Sequence, residues 1–197
     1  MKNKIFKIGV FSTLLIGSLA YSQKTEDIKI ESKGETDKSL LVKTDSVAIA
    51  EAKKKAAAEE KAKLPKPYDA KANAEADIAK LVAQAKKENK NIILQAGGNW
   101  CIWCLRFNNF VQETPELKEI VDKNYLYYHL NFSPENKNEK IFAKFGNPGE
   151  KYGYPVFIVL DKNGKQIHTQ DSAVLEEGKG YSIEKVKEFF NTWVPKS

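Results

Sequence analysis

Asn91-Ile92-Ile93-Leu94-Gln95-Ala96-Gly97-Gly98-Asn99-Trp100-Cys101-Ile102-Trp103-Cys104 joins an apolar run, a glycine break and both cysteines of the chain. The unbroken Ile92-Ile93-Leu94 run predicts a central strand covered on both faces, because a half-exposed strand would alternate. Gly97 and Gly98 end it. Beyond them Cys104, Phe107 and Val111 recur three and four residues apart, so a helix beginning near Cys101 turns all three to one side. Cys104 is expected to point inward. Cys101 is expected at the helix tip as the exposed thiol, where free backbone N–H groups and the helix dipole favour negative charge on sulfur. Two thiols so placed can switch between dithiol and disulfide, with Cys101 as nucleophile and Cys104 as resolving thiol.

On the N-terminal side, Ile78, Leu81, Val82 and Ala85 share one helical face, which predicts a helix from Asn73 to about Glu88. On the C-terminal side, Thr114-Pro115-Glu116 supplies an N-cap, a proline at the first helical position and an early acid. The cysteine helix is therefore expected to be interrupted there and to resume to about Asp122. Tyr125 to Phe132 alternates as a strand, with His129 on its more polar face, and Glu135 to Phe145 has helical spacing broken by Gly146-Asn147-Pro148-Gly149. Tyr154-Pro155 precedes a strand, Val156 to Leu160, and Asp161-Lys162-Asn163-Gly164 turns the chain into a returning strand over Lys165 to Gln170. Ile183, Val186, Phe189, Phe190 and Trp193 form the stripe of a last helix capped by Ser182. The order αβαβαββα describes an α/β domain with a mixed central sheet flanked by helices.

This domain is expected over residues 68–197. Residues 1–22 read as a signal peptide, with Lys2, Lys4 and Lys7 before an apolar stretch and Ala20-Tyr21-Ser22 near the cleavage site; a retained signal anchor is the alternative. Export to an oxidising compartment, such as a bacterial periplasm, lets a nearby cysteine pair form a disulfide and keep it. Residues 23–67 are rich in Lys, Ala and Glu, lack aromatics after the signal and end in Leu64-Pro65-Lys66-Pro67. They read as a spacer, helical or disordered, and over Val47 to Lys63 the apolar positions are nearly all alanine; a coiled-coil handle is the other reading.

Without the three signal lysines, 29 basic residues face 26 acidic ones, a formal +3 instead of +6. The lysines alternate with glutamates and form no aromatic-basic platform, so no nucleic-acid partner is expected. Two cysteines plus the distant His129 and His168 do not make a structural zinc set, so no metal site is expected. Leu105, not histidine, follows the second cysteine, which excludes covalent haem attachment by that motif, and no phosphate-binding loop is present.

Trp100-Cys101-x-x-Cys104 after the central strand, with Gly153-Tyr154-Pro155 before the hairpin, resembles the thioredoxin fold over about residues 68–194, particularly exported bacterial members. The resemblance implies a cis Pro155 beside Cys101, with the Tyr154 backbone able to pair with an extended substrate. It implies thiol-disulfide exchange on exported proteins through a redox-active pair without another cofactor; the exported compartment, which supplies no NADPH system, points to a membrane thiol donor to restore it. Trp100, Ile102, Trp103, Tyr154 and Pro155 are the candidate substrate-binding residues. Where many thioredoxins place a buried Asp, this chain has Gln95, which takes no proton at neutral pH. Ile102-Trp103 lacks the cation that would most stabilise a thiolate, so Cys101 should lie below the ordinary thiol value of about 8.5 but less so than in oxidases. Reductase is the direction this favours; an oxidase or isomerase, or a non-enzymatic binding module with a structural disulfide, are the alternatives. Arg106, further along the helix, reads as a solvated surface residue, with electrostatic help to the thiolate as the alternative.

Overall fold

The computed structural model describes residues 35–196. The expected signal peptide and residues 23–34 of the spacer lie outside the described residues. Helix α1 (Glu35–Lys63) is followed by α2 (Ala74–Glu88), β1 (Asn91–Gly97), α3 (Ile102–Glu113) and α4 (Pro115–Asn124). Then come β2 (Tyr125–Asn131), α5 (Glu139–Lys144), α6 (Pro148–Tyr152), β3 (Val156–Leu160) and β4 (Gln166–Asp171). A short 3-10 turn, the small hairpin β5 (Glu176–Glu177) and β6 (Gly180–Tyr181), and α7 (Ile183–Thr192) complete the chain.

The main sheet has the order β2-β1-β3-β4. β1 runs parallel to β2, opposing Gln95 to His129, and antiparallel to β3, opposing Gln95 to Phe157. β3 pairs antiparallel with β4. Every residue of β1 and β3 is buried, as apolar runs without alternation require when helices cover both faces. Ile92, Leu94 and Ala96 pack with Ile78 of α2 and Phe142 of α5 on one face. Ile93, Phe157 and Val159 pack with Phe107 of α3, Leu117 of α4 and Phe190 of α7 on the other. The end of β1 and the start of α3 thus meet at one edge of a two-faced core.

Local chemistry explains the helix boundaries. Asn73 caps α2 by accepting the Ala76 N–H at 3.1 Å. Thr114 is at once the last cap of α3 and the first of α4, with Pro115 opening the new helix, so the cysteine helix is interrupted as expected. The expected helix from Glu135 starts only at Glu139. Residues 131–138 are held in a loop by the Asn131 side-chain nitrogen donating to the Asn136 carbonyl and the Asn138 side-chain nitrogen donating to the Asn131 carbonyl, each at 2.8 Å. The break at 146–149 contains an unexpected helix, α6, begun by Asn147 at φ 47° and Pro148 at its first position. The hairpin turn extends to Lys165, because the Asp161 carboxylate accepts the N–H groups of Asn163 and Lys165 at 2.8 and 2.9 Å. Ser182 stands at the N-cap of α7, but its hydroxyl donates to the Glu184 carboxylate at 3.1 Å and does not cap by side chain.

Candidate active site

Cys101 is the N-cap of α3, in extended backbone, and its sulfur accepts the Cys104 N–H at 3.1 Å. That N–H is one of the donors a helix start leaves without an intrahelical partner. The two cysteines are joined in a disulfide with their Cα atoms 5.2 Å apart. The Tyr154-Pro155 bond is cis, and the Tyr154 carbonyl oxygen lies 3.6 Å from the Cys101 sulfur. The β1–α3 turn and the loop before β3 therefore converge on one sulfur atom.

The expectation of an exposed Cys101 is corrected. It is 6% exposed against 0% for Cys104, so the order of accessibility holds but both are buried. The cause is a cover of rings: Tyr68 is buried with the two cysteines, and Trp103 and Tyr154 pack against them. Trp103 is in the first turn of α3. Its ring meets Tyr181 edge-on at 5.7 Å, and its carbonyl accepts the Tyr181 hydroxyl at 3.2 Å. Trp100 is the open part of the rim, 47% exposed. It donates its indole N–H to the Phe132 carbonyl at 2.6 Å and meets the Tyr154 ring edge-on at 5.5 Å. Ile102 is half-buried at the start of α3, and Pro155 is buried beneath the site.

The reading of Arg106 as solvated is overturned. It donates to both carboxylate oxygens of Glu60 at 2.7 and 2.6 Å, and its guanidinium lies 4.9 Å from the Trp103 ring. The hydrogen bond from Arg106 holds the Glu60 carboxyl below its ordinary pKa. The same approach brings the Lys61 ammonium to 3.4 Å from the Trp100 carbonyl. The last turns of α1 thus touch α3 and the turn before it.

Behind Cys104 lies a polar network. Gln95, fully buried on β1, donates from its side-chain nitrogen to the Tyr68 hydroxyl at 2.7 Å and to the Cys104 carbonyl at 2.9 Å. Its oxygen accepts the Tyr127 hydroxyl at 2.7 Å. Tyr68 is positioned by a reciprocal pair with Asn99, whose side chain accepts the Tyr68 N–H at 3.2 Å and donates to its carbonyl at 2.7 Å. His129 packs against both tyrosines, with ring centroids 5.1 Å from Tyr68 and 5.3 Å from Tyr127. The strand face expected to be more polar is in fact turned inward, and burial pushes the His129 pKa down to about 4. Its Nε2 is buried without a hydrogen-bond partner. Gly97 is closed to substitution, since a Cβ there would stand 2.5 Å from the Cys104 sulfur.

Sequence reasoning found the cysteines, the Tyr154-Pro155 loop and Gln95, but not Tyr68, Tyr127 or Glu60. The one available signal was Tyr68 as the first aromatic residue after an aromatic-free stretch. Among the described residues no cluster of three or more His, Cys, Asp or Glu is placed to hold a metal ion.

Residues 73–162 match the sequence profile of a family described as thioredoxin-like. The chain is 24% identical over 98 residues to the disulfide bond reductase DsbH of Chlamydia pneumoniae, a match covering 45% of this chain and 57% of that protein. It therefore spans little more than half the length of this curated relative. Its fold superposes on a disulphide isomerase from Xylella fastidiosa Temecula1 with a TM-score of 0.58 and 23% identity, over 66% of this chain and 97% of the other. The chain thus has a thioredoxin-like fold, built on the sheet β1 to β4 and the helices around it.

Proposed function

We propose that this protein exchanges disulfides with exported proteins, in the reducing direction, with Cys101 as nucleophile and Cys104 as resolving thiol. The observation that carries the reading is the placement of the pair: Cys101 caps α3, accepts the Cys104 N–H at 3.1 Å and lies 3.6 Å from the carbonyl of Tyr154. A thiolate at Cys101 keeps that N–H as a charge-assisted bond and gains from the helix N-terminus. It attacks one sulfur of a substrate disulfide, the substrate's own S–S bond breaks, and the electron pair leaves on its second sulfur. Cys104 then attacks the Cys101 sulfur, the substrate leaves as a dithiol, and the Cys101–Cys104 disulfide closes.

The open Trp100 face and the Tyr154 ring offer an apolar rim for an extended polypeptide. Trp100, Ile102, Trp103, Tyr154 and Pro155 are proposed as that substrate surface. The reducing direction draws support from the lack of a cation between the cysteines and from the named activity of the Chlamydia pneumoniae relative. A reductase in an exported compartment needs electrons from elsewhere, and a membrane thiol donor of the same compartment is proposed. None of the described helices is long and apolar enough to cross a membrane.

The test is reduction of insulin disulfides by the purified chain with dithiothreitol, and equilibration with glutathione. Cys101→Ala is expected to abolish turnover while shifting the melting temperature by only a few degrees. A variant that keeps full activity would overturn the enzyme reading, and a reduction potential near the strongly oxidising end of about −120 mV would reverse the direction.

A further inference from the structure

The direction of the Gln95 amide follows from its neighbours. The Cys104 carbonyl oxygen can only accept, so the side-chain nitrogen of Gln95 faces it at 2.9 Å. The second hydrogen on that nitrogen goes to the Tyr68 hydroxyl at 2.7 Å, which therefore accepts. Tyr127 completes the amide by donating to its oxygen. Tyr68 is left with an O–H still to give. Its hydroxyl oxygen and the Cys104 sulfur stand 2.9 and 2.5 Å from the point a Cβ on Gly97 would occupy. The same ring is buried in one cluster with both cysteines.

We propose that the Tyr68 hydroxyl donates a hydrogen bond to the Cys104 sulfur and stabilises it as a thiolate when the disulfide opens. This rests on the exchange reading above. The thiolate of a donor dithiol attacks the Cys101 sulfur, a donor–Cys101 S–S bond forms, and the Cys101–Cys104 bond breaks with its electron pair on Cys104. Tyr68 keeps its proton throughout. Burial holds its phenol well above the usual tyrosine pKa, so it remains an O–H wherever a thiol titrates. A thiolate as buried as Cys104 is costly without a donor, and hydrogen bonds to a charged acceptor are about twice as strong as neutral ones. Gln95 does not ionise at neutral pH; its part is to occupy one of the tyrosine's lone pairs and so direct the O–H at sulfur. In the opposite half of the cycle the same bond keeps Cys104 ionised for its attack on the mixed disulfide.

In a Cys101→Ser chain Cys104 is the sole thiol, and its ultraviolet thiolate absorbance against pH gives its pKa. Adding Tyr68→Phe is expected to raise that pKa by about one unit, a tenfold loss of thiolate at a given pH. Replacing Tyr68 with 3-fluorotyrosine, a more acidic phenol of nearly the same shape, is expected to lower it. With both cysteines present, Tyr68→Phe should slow reduction of the disulfide by dithiothreitol about tenfold. If loss of the hydroxyl unfolds the chain, the fluorotyrosine arm decides, because it removes no atom from the network. An unchanged thiolate pKa overturns the assignment whether or not the intact protein exchanges disulfides. A shift of the stated sign beside an inactive intact protein would remove the exchange reading and leave the hydrogen bond standing.

Discussion

His129 sits in an environment far from its solution chemistry. Its ring is wedged against Tyr68 and Tyr127, its Nε2 has no partner, and its pKa falls to about 4 by burial. The folded protein therefore keeps it neutral where the unfolded chain, with an ordinary value of about 6.5, takes up a proton. Stability from this group is fully present above about pH 6.5, is lost as pH falls from there to about 4, and then levels off. The loss amounts to about 3 kcal/mol. Urea unfolding of the native chain and of His129→Phe over this window should show a steeper pH dependence for the native chain. Parallel curves would mean that His129 takes up its proton in the fold as readily as in the unfolded chain. The sequence placed this residue on a strand with the right period, yet alternation only separates two faces; both pack against helices, Leu130 beside Ile78 and Tyr125 beside Leu117.

At the scale of elements, α1 behaves differently from a free spacer. Its side chains from Val47 onward are mostly exposed, as alanine-rich helix positions should be, but Glu60 near its end grips Arg106 of α3 through both oxygens. Glu60 is 43% exposed and Arg106 18%, so solvent screens much of the attraction. A double-mutant cycle with Glu60→Gln and Arg106→Met is expected to give a coupling of about 1 kcal/mol or less, shrinking with added salt. Because the Glu60 carboxyl is held below its ordinary value, the coupling is present above about pH 4.5 and fades as acid protonates it. A coupling of zero at low salt would show that the contact contributes nothing. The composition of residues 23–67 could not reveal this contact, since glutamates facing water and the one facing Arg106 are chemically identical.

Across the whole molecule, one aromatic cluster ties the cysteine helix to the rest. Phe107 lies three residues past Cys104 with its ring 4.4 Å from Phe157 of β3, 4.8 Å from Tyr181 of β6 and 6.3 Å from Phe190 of α7. It is fully buried, so Phe107→Ala removes its burial and leaves a cavity between sheet and helices. The expected cost is about 3–5 kcal/mol, read from the urea midpoint at constant slope. A loss below about 1 kcal/mol would mean the neighbours collapse into the space, and that this cluster is not what holds α3 on the sheet.

The local patterns determined most of the scaffold: the apolar run of β1, the stripe placing Cys104 inward, the Thr114-Pro115 interruption and the Asp161–Gly164 turn are all short-range signals. They also marked Gln95 as a departure. Tertiary structure alone decided what surrounds the sulfur atoms. Tyr68 meets Gln95 across 27 positions and Arg106 meets Glu60 across 46, so no helical or strand period can announce either contact. Cys101 is covered for the same reason, by rings that only the folded chain brings to it. Periodicity tells a side chain which way to point along its own element; which donor or ring it meets there depends on how distant elements pack.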